Sequence, residues 1–120
     1  MLWNRLVLGF MLVTFAVSYA QEARCPSYHG STPLYGAKLY DGPPDQLADL
    51  EPDSWQGSGN NGHGYYDVGA IFDAGRNLYI VCIYGEWNSK DKVTVKIDKK
   101  VNRCNLRASP KGKPASLTCK

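Results

Sequence analysis

The chain has 120 residues, 43% of them hydrophobic and 12% aromatic, with a formal net charge of +3 at neutral pH. That length holds about one small domain with a thin core, which excludes a large multidomain machine and makes cross-links valuable. The modest net charge hides a polarity: five acids and no base lie between Asp41 and Asp53, whereas ten Lys and Arg residues between Lys90 and Lys120 meet only Asp91 and Asp98.

The first twenty residues, MLWNRLVLGFMLVTFAVSYA, read as a secretory signal. Arg5 supplies the positive start, Leu6 to Val17 the apolar stretch, and Ser18-Tyr19-Ala20 a small-x-small cleavage site. The apolar run is about a dozen residues, short of the roughly 18–20 that a spanning helix needs. Cleavage is therefore expected, leaving residues 21–120 as one domain without a transmembrane segment. Cys25 follows QEAR, which is no lipid-attachment context. All four cysteines (Cys25, Cys82, Cys104 and Cys119) remain in the mature chain. An even count in a short exported protein predicts two disulfides, and no C-x-x-C pair favours zinc.

CPSYHGSTP is rich in turn residues and leads into LYGAKLY, which reads as a first strand with Leu34, Gly36, Lys38 and Tyr40 on one side and Tyr35, Ala37 and Leu39 on the other. The segment YDGPPDQLADLEPDSW then stops the strand, because Pro43 and Pro44 cannot donate to a sheet ladder. Pro44 suits the start of a short helix or 3₁₀ pair of two turns at most, Asp45 its first turn and Pro52 its end, with Leu47 and Leu50 expected to tie it to the sheet. After the glycine-rich loop QGSGNNGHG, the run YYDVGAIFDAGRNLYIVCIYG predicts two strands joined at Asp73–Asn77, the second covered on both faces. KVTVKI alternates with Val93, Val95 and Ile97 inward, and VNRCNLRA and SLTC form a last pair of strands around the turn SPKGKP, so the tail reads as an antiparallel meander with short loops. The predicted fold is mainly β: a small antiparallel sheet or partly closed barrel with one short helical insert and two disulfides.

Symmetrical closure of the last hairpin opposes Ala108 to Ala115 and hence Cys104 to Cys119. With KVTVKI lying between them at about 4.8 Å per strand, Cys82 and Cys104 stand beyond disulfide reach. The preferred pairing of the three is Cys104–Cys119 with Cys25–Cys82, while a sheet that curls back would permit Cys82–Cys104.

Groups able to do chemistry are sparse. The glycine loop lacks the Lys-Ser/Thr ending of a phosphate-binding loop, and His29 and His63 have no nucleophile elbow near them in sequence. The acids from Asp41 to Asp53 fit neither a calcium loop nor a glycosidase pair. No catalytic residue, metal or cofactor is expected, and nucleic acid is excluded as a partner by export and by the missing RNA-binding signature. Lysines on strand faces also guard edges against aggregation. Trp55 and Trp87 flank loops, where a ring can anchor a partner. The candidate partner surface is therefore Asp45, Asp49, Asp53, Trp55 and Trp87.

Cys-Pro soon after the signal, LYDGPPDQLADLEPD, YIVCIYG and the later Arg-Cys together resemble a family of small exported proteins of Gram-negative bacteria. The resemblance runs from about Cys25 to Cys104, is most specific at the Asp-Gly-Pro-Pro to Pro-Asp block, and implies a periplasmic address and a shared fold without an activity. A looser likeness of architecture links the chain to periplasmic lysozyme inhibitors, whose inhibitory-loop motifs it lacks. The expected protein is a monomeric, non-enzymatic binding or inhibitor-like module that meets another protein or an envelope polymer. The alternatives are an envelope protein resting its Lys-rich face on anionic lipid or polysaccharide, and a hydrolase of envelope material.

Overall fold

The computed structural model describes residues 23–120, so the secretory signal read in residues 1–20 lies outside the described residues. This part of the chain builds eight strands: β1 (Tyr28–His29), β2 (Thr32–Asp41), β3 (Ser54–Gln56), β4 (His63–Asp67), β5 (Leu78–Tyr84), β6 (Lys92–Ile97), β7 (Arg103–Arg107) and β8 (Ser116–Cys119). Of these, β5 and β6 come from runs rich in β-branched and aromatic residues. All pair antiparallel, in two four-stranded sheets of order β1-β2-β5-β6 and β3-β4-β7-β8. The architecture is mainly β with little helix and is not a closed barrel, and it carries two disulfides, Cys25–Cys82 and Cys104–Cys119.

One apolar cluster joins the two sheets. Leu34, Leu39, Leu78, Ile80 and Tyr84 come from the first sheet and Cys104, Leu106 and Leu117 from the second. No polar or charged side chain is buried among the described residues, so the core rests on apolar burial and cross-links. Residues 23–25 extend the second sheet past β8: Cys119 N–H donates to the Ala23 carbonyl at 2.7 Å and Cys25 N–H to the Leu117 carbonyl at 3.1 Å. Cys25 therefore belongs to the second sheet, and its bond to Cys82 of β5 fastens one sheet to the other. Cys104 lies opposite Cys119 in the β7–β8 ladder, the register that symmetrical closure of SPKGKP predicts.

Four local expectations need correction. Residues 68–72, read as the end of a strand, enter the short helix α1 (Gly69–Asp73), with Val68 and Ile71 buried. The alternation there is helical because the chain must pass from β4 in the second sheet to β5 in the first, and a helical turn makes that crossing. The tail is likewise no simple meander, since β6 and β7 lie in different sheets; Cys82 and Cys104 are thus separated by sheet rather than by one intervening strand.

On β2, a register shift between Leu34 and Gly36 puts Leu34 in the core with Ala37 and Leu39, whereas strict alternation placed it on the opposite face. The helical insert takes the 3₁₀ form but is a single turn, Pro44–Gln46, which ends well before Pro52. Leu47 caps it in the left-handed region (φ 58°) and is 78% exposed, so only Leu50 reaches the core. The segment is instead held by backbone bonds back to β2, from Asp41 N–H to the Ala48 carbonyl and from Leu50 N–H to the Leu39 carbonyl.

Candidate functional site: an aromatic groove between the sheets

The two sheets do not close along their whole contact. Beside β2 they leave a groove of about 530 Å³, walled by Tyr35 and Trp87 on one side and by Pro52 and Trp55 on the other. Tyr66 and Leu106, both largely buried, also line it. Three of its aromatic side chains stay in solvent: Tyr35 is 43% exposed, Trp55 43% and Trp87 45%. Rings of this size contribute large area to a core or an interface, so leaving three exposed around one cleft forgoes stability for the free protein.

Local structure holds each wall. The bulge in β2 turns Tyr35 outward, where its ring lies 6.3 Å from that of Trp87 in a tilted pair. Trp87 sits in the loop between β5 and β6, and Lys38 Nζ lies 5.4 Å from its ring centre, a cation held over a π face. On the facing wall, Trp55 of β3 lies across Gly62, just before β4, and Gly64 within it. A methyl group on Gly62 would come within 2.6 Å of the Trp55 ring, and one on Gly64 would meet both that ring and the Ser54 carbonyl. The indole therefore rests on bare backbone, a support only glycine provides.

Tyr66 gives the groove its polar element. It is only 7% exposed, yet its hydroxyl has no hydrogen-bond partner, while no buried side-chain oxygen or nitrogen among the described residues lacks one. The hydroxyl therefore keeps some contact with solvent, and Tyr66 is one of the residues lining the groove. Burial first, and the charge of Glu51 second, raise this phenol above its ordinary value, which keeps it protonated and able to donate.

The candidate surface residues part company in space. Trp55 and Trp87 face the same groove, although 32 positions separate them in sequence. Asp53 sits next to Pro52 and accepts the Asp67 backbone N–H at 2.6 Å. Asp45 and Asp49 are exposed at the corner after β2, where Asp49 bridges to Tyr40 and neither lines the groove. Asp41 of the same segment is taken up by Arg76, in a paired contact of 2.7 and 2.9 Å. The basic residues are dispersed too. Lys92 and Lys96 project from the edge strand β6, while Arg103 and Arg107 belong to β7, where Arg103 bonds Asp67 and covers the Tyr65 ring. Tyr35, Lys38 and Tyr66 escaped sequence reasoning, because a bulge and a sheet-to-sheet cleft leave no periodic mark. The one available signal was Gly-His-Gly, two glycines on a single strand face, which offers a flat seat for a ring.

The histidines stand on different sheets. His29 Nδ1 lies 2.6 Å from Asp91 Oδ1 near the first sheet's surface, and His63 Nδ1 is 3.4 Å from the Asn61 carbonyl beside the second. No group of three or more His, Cys, Asp or Glu among the described residues is placed to hold a metal, and no helix among them is long and apolar enough to cross a membrane. The groove has open aromatic walls, and the Tyr66 hydroxyl is one of the donors on its lining side chains without a hydrogen-bond partner among the described residues.

No curated protein matches the chain, and no solved structure does. The family model described as Type VI secretion system Tli immunity protein matches residues 28–120, from the first strand to the last residue, and the chain belongs to that family.

Proposed function

We propose that this chain is an exported, non-catalytic immunity protein that binds a toxic effector of a type VI secretion system and blocks it. The observation that carries this reading is the span of the family match, residues 28–120, which takes in every strand and both sheets. The immunity role thus attaches to this β structure as a whole. Blocking by contact needs a rigid, complementary surface and no reacting group. Two disulfides, a dry core and a groove with exposed indoles supply such a surface. The leader sequence and the paired cysteines support an address in the oxidising periplasm of a Gram-negative cell. Trp55 and Trp87 are the first candidates for effector contact, with Asp53 at the groove's margin and Asp45 and Asp49 on the adjoining corner.

The direct test is a contest between cells. A recipient lacking this protein is mixed with attackers whose type VI apparatus is active or disabled, with and without the full chain supplied in the recipient. The chain should restore survival against the active attackers alone. Survival that does not change when the chain is supplied overturns the immunity reading.

A further inference from the structure

The geometry points to the aromatic groove as the seat of one protruding effector segment, which places an apolar side chain between Trp55 and Trp87, offers an acceptor oxygen to the Tyr66 hydroxyl, and sets a Lys or Arg against Glu51. This inference rests on the immunity reading and adds the surface and the chemistry of what it holds.

Each part of that chemistry has its own observation. The walls carry two indoles, Trp55 on β3 of the second sheet and Trp87 in the β5–β6 loop of the first, both roughly half in water, so an inserted apolar group buries two large rings at once. The Tyr66 hydroxyl is a donor without an internal acceptor, on a side chain that is otherwise buried. A free donor in an apolar cleft discriminates strongly, because a partner that covers it without accepting its hydrogen bond leaves it unpaired.

Glu51 supplies the sign of the rim. It is exposed, adjoins groove-lining Pro52, forms no ion pair among the described residues, and its charge is felt at Tyr66. Asp53 lies on the same rim, with one carboxylate oxygen engaged by the Asp67 N–H. Lys38, next to groove-lining Ala37, is drawn to the Trp87 ring. A basic residue beside the apolar anchor fits this rim and an acidic one does not. The groove is also preformed: the Gly62–Gly64 seat fixes Trp55, and the Cys25–Cys82 bond holds the two sheets that make the walls. Little ordering is left to be done when the segment enters.

The experiment uses the full exported chain in recipient cells under type VI attack, with a photo-reactive amino acid at Tyr35 or Ser109 in the groove, or at Thr94 on β6 as the control. Proteins crosslinked under attack are identified by mass spectrometry, and the captured effector is then purified for affinity measurement. Groove positions should capture the effector through a segment bearing an apolar residue next to Lys or Arg, and Thr94 should not. Trp55→Ala with Trp87→Ala should weaken affinity by about 30-fold or more, and Glu51→Lys, an exposed change that leaves the fold alone, by about 10-fold. Intact disulfides and unchanged unfolding certify each variant. If the wild-type chain protects while effector is captured only from Thr94, or the Trp and Glu51 variants bind at wild-type strength, the groove inference falls and the immunity reading stands. Groove adducts that are glycan or lipid rather than effector also overturn it. A wild-type chain that gives no protection removes the immunity reading, and the groove assignment with it.

Discussion

Where Cys25 meets Cys82 the two sheets are locked and buried; at the opposite margin of the second sheet, where Trp55 and Trp87 line one groove, they stand open. The closed margin is built as a core is built. Leu34 and Leu117 are almost fully buried, Ala115 N–H reaches across to the Leu34 carbonyl at 2.8 Å, and the Tyr84 hydroxyl donates to the Pro26 carbonyl at 2.8 Å. At the open margin, large rings remain in water and even the largely buried Tyr66 phenol has no hydrogen-bond partner among the described residues. One small domain thus concentrates its stability on one side and leaves the other unsatisfied. Residues that serve the fold and residues that serve recognition should therefore respond differently to substitution.

The largest expected effect lies at the closed margin. Replacing Cys25 and Cys82 together by Ala releases a loop with a sequence separation of 57 residues. By chain entropy this should cost about 4 kcal/mol, against about 3 kcal/mol for the 15-residue separation of Cys104 and Cys119. Urea unfolding of the oxidised proteins measures both, and a smaller loss for the inter-sheet bond would break the comparison.

Gly64→Ala comes next, at the open margin. Its methyl group would collide with the Ser54 carbonyl and the Trp55 ring, so β3 or the indole must shift. The expected loss is about 1–3 kcal/mol, with a change in tryptophan emission that tracks the altered seat. Wild-type stability together with wild-type emission would show that the seat is not tight.

The two buried tyrosines contrast the margins through pH. Burial raises both Tyr66 and Tyr84 above the usual phenol value of 10, with Glu51 and Asp91 adding to the shift respectively. The unfolded chain then loses these protons first as pH climbs. Their contribution to stability is whole below about pH 10 and fades as pH rises through the folded values. Tyr84→Phe should also cost about 1 kcal/mol at neutral pH, since it removes the bond to Pro26. Tyr66→Phe removes no internal bond and should be nearly neutral there. Both should flatten the alkaline loss, which denaturation at pH 8 and pH 10.5 would read; equal costs at neutral pH would erase the contrast.

The smallest effect belongs to neither margin. Leu47 is exposed and left-handed, so Leu47→Asn should raise stability by about 0.5 kcal/mol, because Asn tolerates that conformation better. A loss of stability in urea unfolding would reveal a packing role for the leucine.

The sequence carried much of this molecule and hid a particular part. The all-β class followed from alternation in KVTVKI and from the apolar run LYIVCIY, and the facing of Cys104 and Cys119 followed from the length of one turn. Such features depend on neighbours close along the chain. The partition into two sheets did not follow, because Val68, Ala70 and Phe72 alternate as a strand would and only the demands of crossing between sheets make them helical. Leu47 misled for a similar reason: its spacing from Leu50 matches a helix, but the turn ends at Gln46. Trp55 and Trp87 could each be singled out as rings beside loops. Their meeting could not, since it depends on how one sheet lies on the other.

The positions of the cross-links also bear on survival among proteases. A cut anywhere between residues 26 and 81 leaves two pieces still joined through Cys25 and Cys82, and a cut within SPKGKP leaves two pieces joined through Cys104 and Cys119. The glycine-rich loop and the lysine-bearing turn can thus be nicked while the molecule keeps its covalent continuity. Between the two bonded stretches only residues 83–103 have no such insurance, and Trp87 stands in that gap. Limited trypsin digestion, followed on gels with and without reductant, should therefore separate the two disulfide-bonded stretches only by cleavage between Lys90 and Arg103.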